Sequence, residues 1–289
     1  MKVGLHLSSF TNEDQDNFVK ELDTVAKMAD KGGMGLLTVM DHFFQIPYVG
    51  QIDESMFEGY SVLNYIAGKT HDIKLSTMVT GVIYRNPGFL AKQVSTLDVL
   101  SQGRAMLGIG ASWFEREAVG LGFGFPSLKE RFEMLEETLQ IVKQIWSDDN
   151  GPFEGKHYQM KETRSHPKTI QLPHPPILIG GGGEKKTLKF VAKYATACNL
   201  FAQLGHDQLK HKLNVLKSHC KAVERDYNDI MITTTGSIKK DTTADELLKE
   251  LKDLSSLGVD HAHFSIQDVY DLDLLTMVVD EIVPAIADW

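Results

Sequence analysis

The chain has only two cysteines, Cys198 and Cys220, and no CxxC pair. So sparse a supply excludes a disulfide scaffold and favours a reducing compartment. Positive charge is also in the minority: 30 Lys and Arg stand against 39 Asp and Glu, a formal net charge of -9. Nucleic acid is therefore an unfavourable partner, because its phosphates call for clustered cations. No apolar run reaches the ~18 residues that a membrane span needs. The opening "MKVGLHLSSF" has one Lys and a short apolar run broken by His6, too weak for a signal peptide. The expectation is a soluble, cytoplasmic protein acting on a small molecule, with no membrane or nucleic-acid partner and with a homodimer left open.

Several cofactor and metal motifs are missing as well. "GKT" at Gly68–Thr70 resembles the end of a Walker A loop, but the position of its leading Gly is Leu63. Gly108 and Gly110 form a G-x-G, yet Ala111, Ser112 and Trp113 follow, so the third Gly of a Rossmann fingerprint is absent. There is no HExxH. His261 and His263 would share one face of a strand, but no Cys or spaced carboxylates accompany them, and we expect no metal.

What the chain does have is alternation. Strand-like runs occupy Val3–Leu7, Leu36–Met40, Lys74–Val79, Ala105–Ile109, Pro176–Ile179, Ala197–Phe201, Ile230–Ser237 and His261–Ser265, with helical spacing between them. "SLKE" at Ser127–Glu130 and "TADE" at Thr243–Glu246 are capping boxes, and Asn86-Pro87 fits an N-cap followed by Pro. Strict alternation implies parallel strands joined by crossover helices. Eight units predict an α/β fold, a (β/α)₈ TIM barrel forming one domain over residues 1–289, with a small insertion at about 147–172 after the fourth βα unit. An open doubly wound sheet is the alternative.

A barrel puts function on the loops after the strands. Asp41-His42 closes the second strand, and a His there can exchange a proton near neutral pH. A rim histidine merely bonded to its neighbours is an equal reading of the pair alone. After the fifth strand come four glycines, Gly180 to Gly183, with a helical pattern expected from about Glu184. One or two glycines would serve a tight turn; four suggest backbone N–H groups bared to an anion at a helix N-terminus. Glu184 would then have to turn its carboxylate away.

"VMDHFFQIP", "TMVTGVIYRNPGFLAKQVSTLDVLSQGRAMLGIGASWFEREAVGLGFGFPSLKERFEMLEETLQI" and "PPILIGGGGEKKTLKFVAKYATACN" together resemble the bacterial luciferase-like family, most closely its deazaflavin (coenzyme F420)-dependent branch. The resemblance covers most of Met1 to Asn199. It implies a flavin or deazaflavin at the C-terminal mouth of a barrel with an insertion. By the same resemblance Asp41 and His42 flank the ring, His42 being the catalytic candidate. A cis peptide expected at Thr77–Met78 backs the ring, Gly110 to Trp113, with Gly110 and Ser112, border it, and Gly181, Gly182 and Gly183 receive the cofactor phosphate. Two departures stand out. The catalytic Glu of sugar-phosphate-oxidising relatives is replaced by Trp113, with Glu115 two further on. The family's Asp-Ala-Trp-Asn string is Thr196-Ala197-Cys198-Asn199, which leaves deazaflavin and FMN both open. The implied activity is hydride transfer between a reduced cofactor and a small organic substrate. Alternatives are an FMN monooxygenase using oxygen, a non-catalytic flavin-binding relative, and an unrelated phosphate-substrate barrel.

Overall fold

The computed structural model describes residues 1–10 and 17–289. Among them eight strands alternate with helices: β1 (Lys2–Leu7), β2 (Leu36–Val39), β3 (Lys74–Thr77), β4 (Ala105–Gly110), β5 (Ile177–Gly180), β6 (Ala197–Phe201), β7 (Met231–Ile238) and β8 (His261–Ile266). All neighbours pair in parallel, and because β3 pairs with β4 and β8 with β1, the sheet closes on itself. This is the (β/α)₈ barrel read from the alternation, not the open sheet. Thr80–Gly81 adds a second short parallel pairing at the C-terminal end of β4.

Outside lie α1 (Phe18–Lys31), α2 (Gly59–Ala67), α3 (Pro87–Leu100), α4 (Glu115–Gly120), α5 (Leu128–Trp146), α6 (Thr187–Tyr194), α7 (His206–Ala222), α8 (Ala244–Ser256) and α9 (Asp273–Met277). Both capping boxes form: Ser127 and Glu130 start α5, and Thr243 and Glu246 start α8. Asn86 caps α3 through Gly88 N–H, with Pro87 at the first helical position. Between α5 and β5 a two-stranded antiparallel pair, Phe153–Glu154 with Gln159–Met160, stands apart from the barrel sheet. The Glu137 carboxylate of α5 holds it by accepting from Lys156, His157 and Tyr158 N–H.

Strand alternation sorts each strand between two environments. Val3, Leu5, Leu7, Leu37, Val39, Leu107, Ile109, Ile177 and Ile179 belong to the apolar layer under the helices. Their alternates face the barrel axis. At the N-terminal end that lining is apolar, with Leu36, Met106, Leu178 and Ala197 packed together. Elsewhere it is polar. His6 Nδ1 lies 2.9 Å from Thr38 Oγ1. Asn199 Nδ2 donates to Thr233 at 2.9 Å and Thr235 at 3.0 Å. His263, fully buried, sits where a side chain on Gly4 would have to be, and its ring nitrogens meet no partner. At the N-terminal face Arg104 ties the loops together by donating to Ala67, Thr70, Ile73 and Ser101 carbonyls. The Asp30 carboxylate gathers the N–H groups of His71, Asp72 and Ile73.

Burial holds His6 and His261 down at about 4, with neighbouring positive charge adding to the effect; His263 lies well below the ordinary histidine range for the same leading cause. A histidine whose folded value lies below its unfolded one stays neutral while the unfolded chain takes up the proton. Its stabilising contribution is therefore complete above about pH 6.5 and is lost as pH falls from there toward about 4. Urea unfolding at pH 7, 6 and 5 should show stability falling, each such histidine contributing on the order of 1–2 kcal/mol by pH 5. His261→Gln should lose less than the unsubstituted protein over the same range, and parallel pH profiles for the two would refute this account.

Candidate active site

The C-terminal end of β2 is built around two buried carboxylates. Asp41 is fully enclosed and receives both guanidinium nitrogens of Arg85, at 2.5 and 2.9 Å. Arg85 also donates to Glu58 at 2.5 Å and lies over the Tyr60 ring, 4.8 Å from its centroid. Burial raises the Asp41 carboxyl above its ordinary value, with Arg85 opposing the shift. Tyr60, buried beside Asp41, is pushed up to about 12. Asp41, expected to flank a cofactor, has its carboxylate held by Arg85.

The second carboxylate is Glu117 of α4, which has no solvent exposure. Its oxygens accept from Phe43 N–H at 2.5 Å, Phe44 N–H at 2.8 Å, the Tyr84 hydroxyl, and His42 Nδ1 at 3.0 Å. Burial pushes the Glu117 carboxyl up, but the bonds from His42, Phe44 and Tyr84 outweigh it and the net value is lowered. With Nδ1 held, the His42 ring has one orientation, and Nε2 has no partner among the described residues. Trp113 and Phe114 set ring edges against the imidazole, at 5.5 and 5.8 Å between centroids. A histidine placed in this way can give or take a proton at Nε2.

The non-proline cis bond lies at Met78–Val79, one bond beyond the expected Thr77–Met78. Thr77 still belongs to the ladder, pairing with Val39, and Met78 N–H donates to Val39 O at 2.8 Å, so the chain departs from the strand only after Met78. Thr77 is also not a mouth residue. Alternation turns its side chain toward α2, where its hydroxyl is bonded to Thr80 at 2.8 Å and donates to Gly108 O at 3.0 Å. Met78 and Val79 are half-buried and pack against the inner lining. Val79 occupies the space that Gly110 and Gly180 leave: a Cβ on either glycine would approach its methyls to 3.0 Å. Ser112 takes a left-handed backbone conformation, φ 62°, where β4 gives way to α4.

The glycine loop joins β5 to α6. Gly181 has φ 116°, which side chains resist, and a Cβ on Gly183 would come 2.8 Å from Thr187 Oγ1. Gly182 differs, since a Cβ there would meet only Leu200 and Lys212 at 3.7 and 3.8 Å, ordinary contact distances. No hydrogen bond within the described residues engages the N–H of Gly182 or Gly183. The helix begins at Thr187, not near Glu184, so Lys185 and Lys186 lie in the preceding turn. The Glu184 carboxylate is drawn to α7, accepting from Lys212 at 2.5 Å.

A family model described as luciferase-like monooxygenase matches residues 1–273. The chain belongs to that family. Among curated proteins, this luciferase-like chain is 32% identical over 176 residues to an F420-dependent glucose-6-phosphate dehydrogenase of Kineococcus radiotolerans, across 61% of this chain and 49% of the relative. It thus spans about half the length of the curated relatives it matches. Two solved structures share its fold at low identity. An F420-dependent secondary alcohol dehydrogenase with an F420–acetone adduct has TM-score 0.82 at 18% identity, covering 98% of both chains. The FMN-bound oxygenating constituent of 3,6-diketocamphane monooxygenase from Pseudomonas putida has TM-score 0.76 at 16% identity, again over 98% of both.

In this luciferase-like chain Glu117, Tyr84, Arg85 and Lys212 were not singled out by sequence. Only the helical placement of Glu117 shortly after the strand-four glycines hinted at a role; the others lie 25 or more residues from what they touch. Replacing Glu117 by Gln removes the charge and turns an amide N–H₂ toward donors. Glu117→Gln should cost about 1.5–3 kcal/mol, the range for hydrogen bonds to a charged group, measured by urea unfolding. Unchanged stability would show that this carboxylate does not hold the loop.

Proposed function

We propose that this chain is an oxidoreductase that moves a hydride between a reduced coenzyme F420 or FMN and a small organic molecule. The observation that carries this reading is His42, fixed by buried Glu117 with Nε2 free, on the same barrel rim as an unengaged glycine loop. The residues fit a flavin-type group. Gly110 and Gly180 make room for Val79 at the barrel axis, and the N–H groups of Gly182 and Gly183 are available to a phosphate. Met78 and Val79 offer an apolar backing, and Ser112 stands at the border of the same space.

When bound, such a cofactor supplies the two-electron redox chemistry, and the protein supplies binding, orientation and water exclusion. His42 Nε2 exchanges the accompanying proton with the substrate, and Glu117 keeps the imidazole in the tautomer and orientation that allow it. Arg85 and Asp41 act as a frame beneath this residue. The names of the curated relatives favour F420; oxygenation on FMN is the second reading, favoured by the family's description and by the FMN-bound neighbour. We read the whole barrel with its insertion as one working unit in a reducing cytoplasm, where the buried Cys198 and Cys220 stay free thiols. The excess of acidic groups leaves nucleic acid an unsuitable partner, and a homodimer is compatible with the reading.

Equilibrium titration should give tighter binding of F420 or FMN than of NAD; NAD binding without either flavin-type cofactor would sink the proposal. Gly182→Val should weaken cofactor binding by more than about tenfold, roughly 1.4 kcal/mol, with little change in thermal unfolding because a Cβ there meets Leu200 and Lys212 only at ordinary contact distances. If affinity is unchanged, the glycine loop is only a turn. His42→Ala should lower turnover much more than cofactor affinity, as expected for a group acting in the transition state.

A further inference from the structure

Large aromatic side chains form the wall beside His42, and several of them face solvent. Trp113, whose edge meets the imidazole, is 50% exposed, and Tyr48, 6.0 Å from it, is 85% exposed. Phe114 stacks under Trp113 at 5.1 Å. Beyond it Phe123, 39% exposed, stacks on Phe43 at 5.3 Å. The exposed pair Trp113 and Tyr48 beside His42 is aromatic surface of the kind that marks a place something covers. Whatever covers Trp113 also lies beside the His42 ring.

Charge recognition is missing from this wall. Arg85 is buried between Asp41 and Glu58. Arg131 lies over the Phe125 ring and donates to Ala111 and Pro126 carbonyls. Arg116 neighbours Glu117 on α4, which turns it about 100° around the helix axis from the carboxylate that holds His42. Among the described residues no hydrogen bond, ion pair or ring contact holds a cation against His42, Trp113 or Phe114.

We infer that the substrate is a neutral, ring-bearing carbonyl compound whose flat face lies on Trp113 and whose oxygen meets His42 Nε2. This rests on the proposed function and names its substrate class. In the reduction, the carbonyl carbon gains a hydride, forming a C–H bond. The C=O π pair takes the proton from His42 to become an O–H bond, and the reduced coenzyme is oxidised by two electrons. The product is an alcohol, a secondary one when the carbonyl compound is a ketone such as acetophenone.

Acetophenone and glucose 6-phosphate serve as probes. Their binding to the protein as purified, and to protein loaded with F420 or FMN, is followed by equilibrium dialysis and by tryptophan fluorescence. Trp113→Phe removes the Trp113 signal and leaves those of Trp146 and Trp289. Acetophenone should bind at least about tenfold more tightly than glucose 6-phosphate and should quench Trp113. Trp113→Ala should raise the acetophenone dissociation constant and KM by about tenfold, and Trp113→Phe should restore both. Preference for glucose 6-phosphate overturns the inference, as does an unchanged constant in Trp113→Ala. So does sedimentation showing that Trp113→Ala splits a dimer, which would make the wall an interface between copies. If neither coenzyme binds while acetophenone remains preferred, the cofactor reading fails and the substrate class stands.

Discussion

Glu117 has no water to solvate its charge, so every oxygen lone pair that matters must meet a protein donor. Burying an isolated carboxylate is prohibitively unfavourable, and burying one with several charge-assisted hydrogen bonds is not. Its donors come from places far apart in sequence: two successive backbone N–H groups after β2, the Tyr84 hydroxyl before α3, and the His42 ring. Satisfying one carboxylate thereby fixes the loop after β2 against α4. The orientation of His42 and the aromatic wall beside it follow from that single requirement.

The barrel separates stability from openness along its axis. At the N-terminal face, Arg104 and Asp30 bind loop carbonyls and N–H groups into a closed layer. Apolar side chains fill the lining just above it. Toward the other end the lining turns polar, and glycine takes the place of side chains at Gly110 and Gly180. The Cβ atoms left out on β4 and β5 make room for the Val79 side chain at the mouth, while the helices outside stay tightly packed. The polar lining demands neutral histidines, which makes His6, His261 and His263 a liability in acid and unobjectionable at neutral pH.

Two surfaces meet at the mouth with different chemistry. The glycine loop presents backbone donors suited to an anion, while the nearby Lys212 is paired with Glu184. The His42 wall presents aromatic faces and one ring nitrogen. On the proposed function, the first surface and the lining beside it would take the phosphate and ring of the cofactor, and the second would take a smaller, uncharged molecule.

Local signals were enough to determine the eight strands, the two capping boxes, the Asn86 cap and the order that makes the sheet parallel. Periodicity, caps and turn residues act over a few positions, so the chain carries them openly. The glycine loop and His42 were visible for the same reason, as residues at the ends of readable strands. The exact site of the cis bond and the start of α6 were not. Both depend on where a strand's last ladder bond falls, and Met78 pairing with Val39 moved the first by one residue. Nor could sequence foresee that Thr77 would turn toward α2, that Asp41 would be claimed by Arg85, or that Glu117 would hold His42. Those pairings join residues dozens of positions apart. They exist only because closing the barrel brings the ends of β2, β3 and β4 to one rim, where buried charges must find partners.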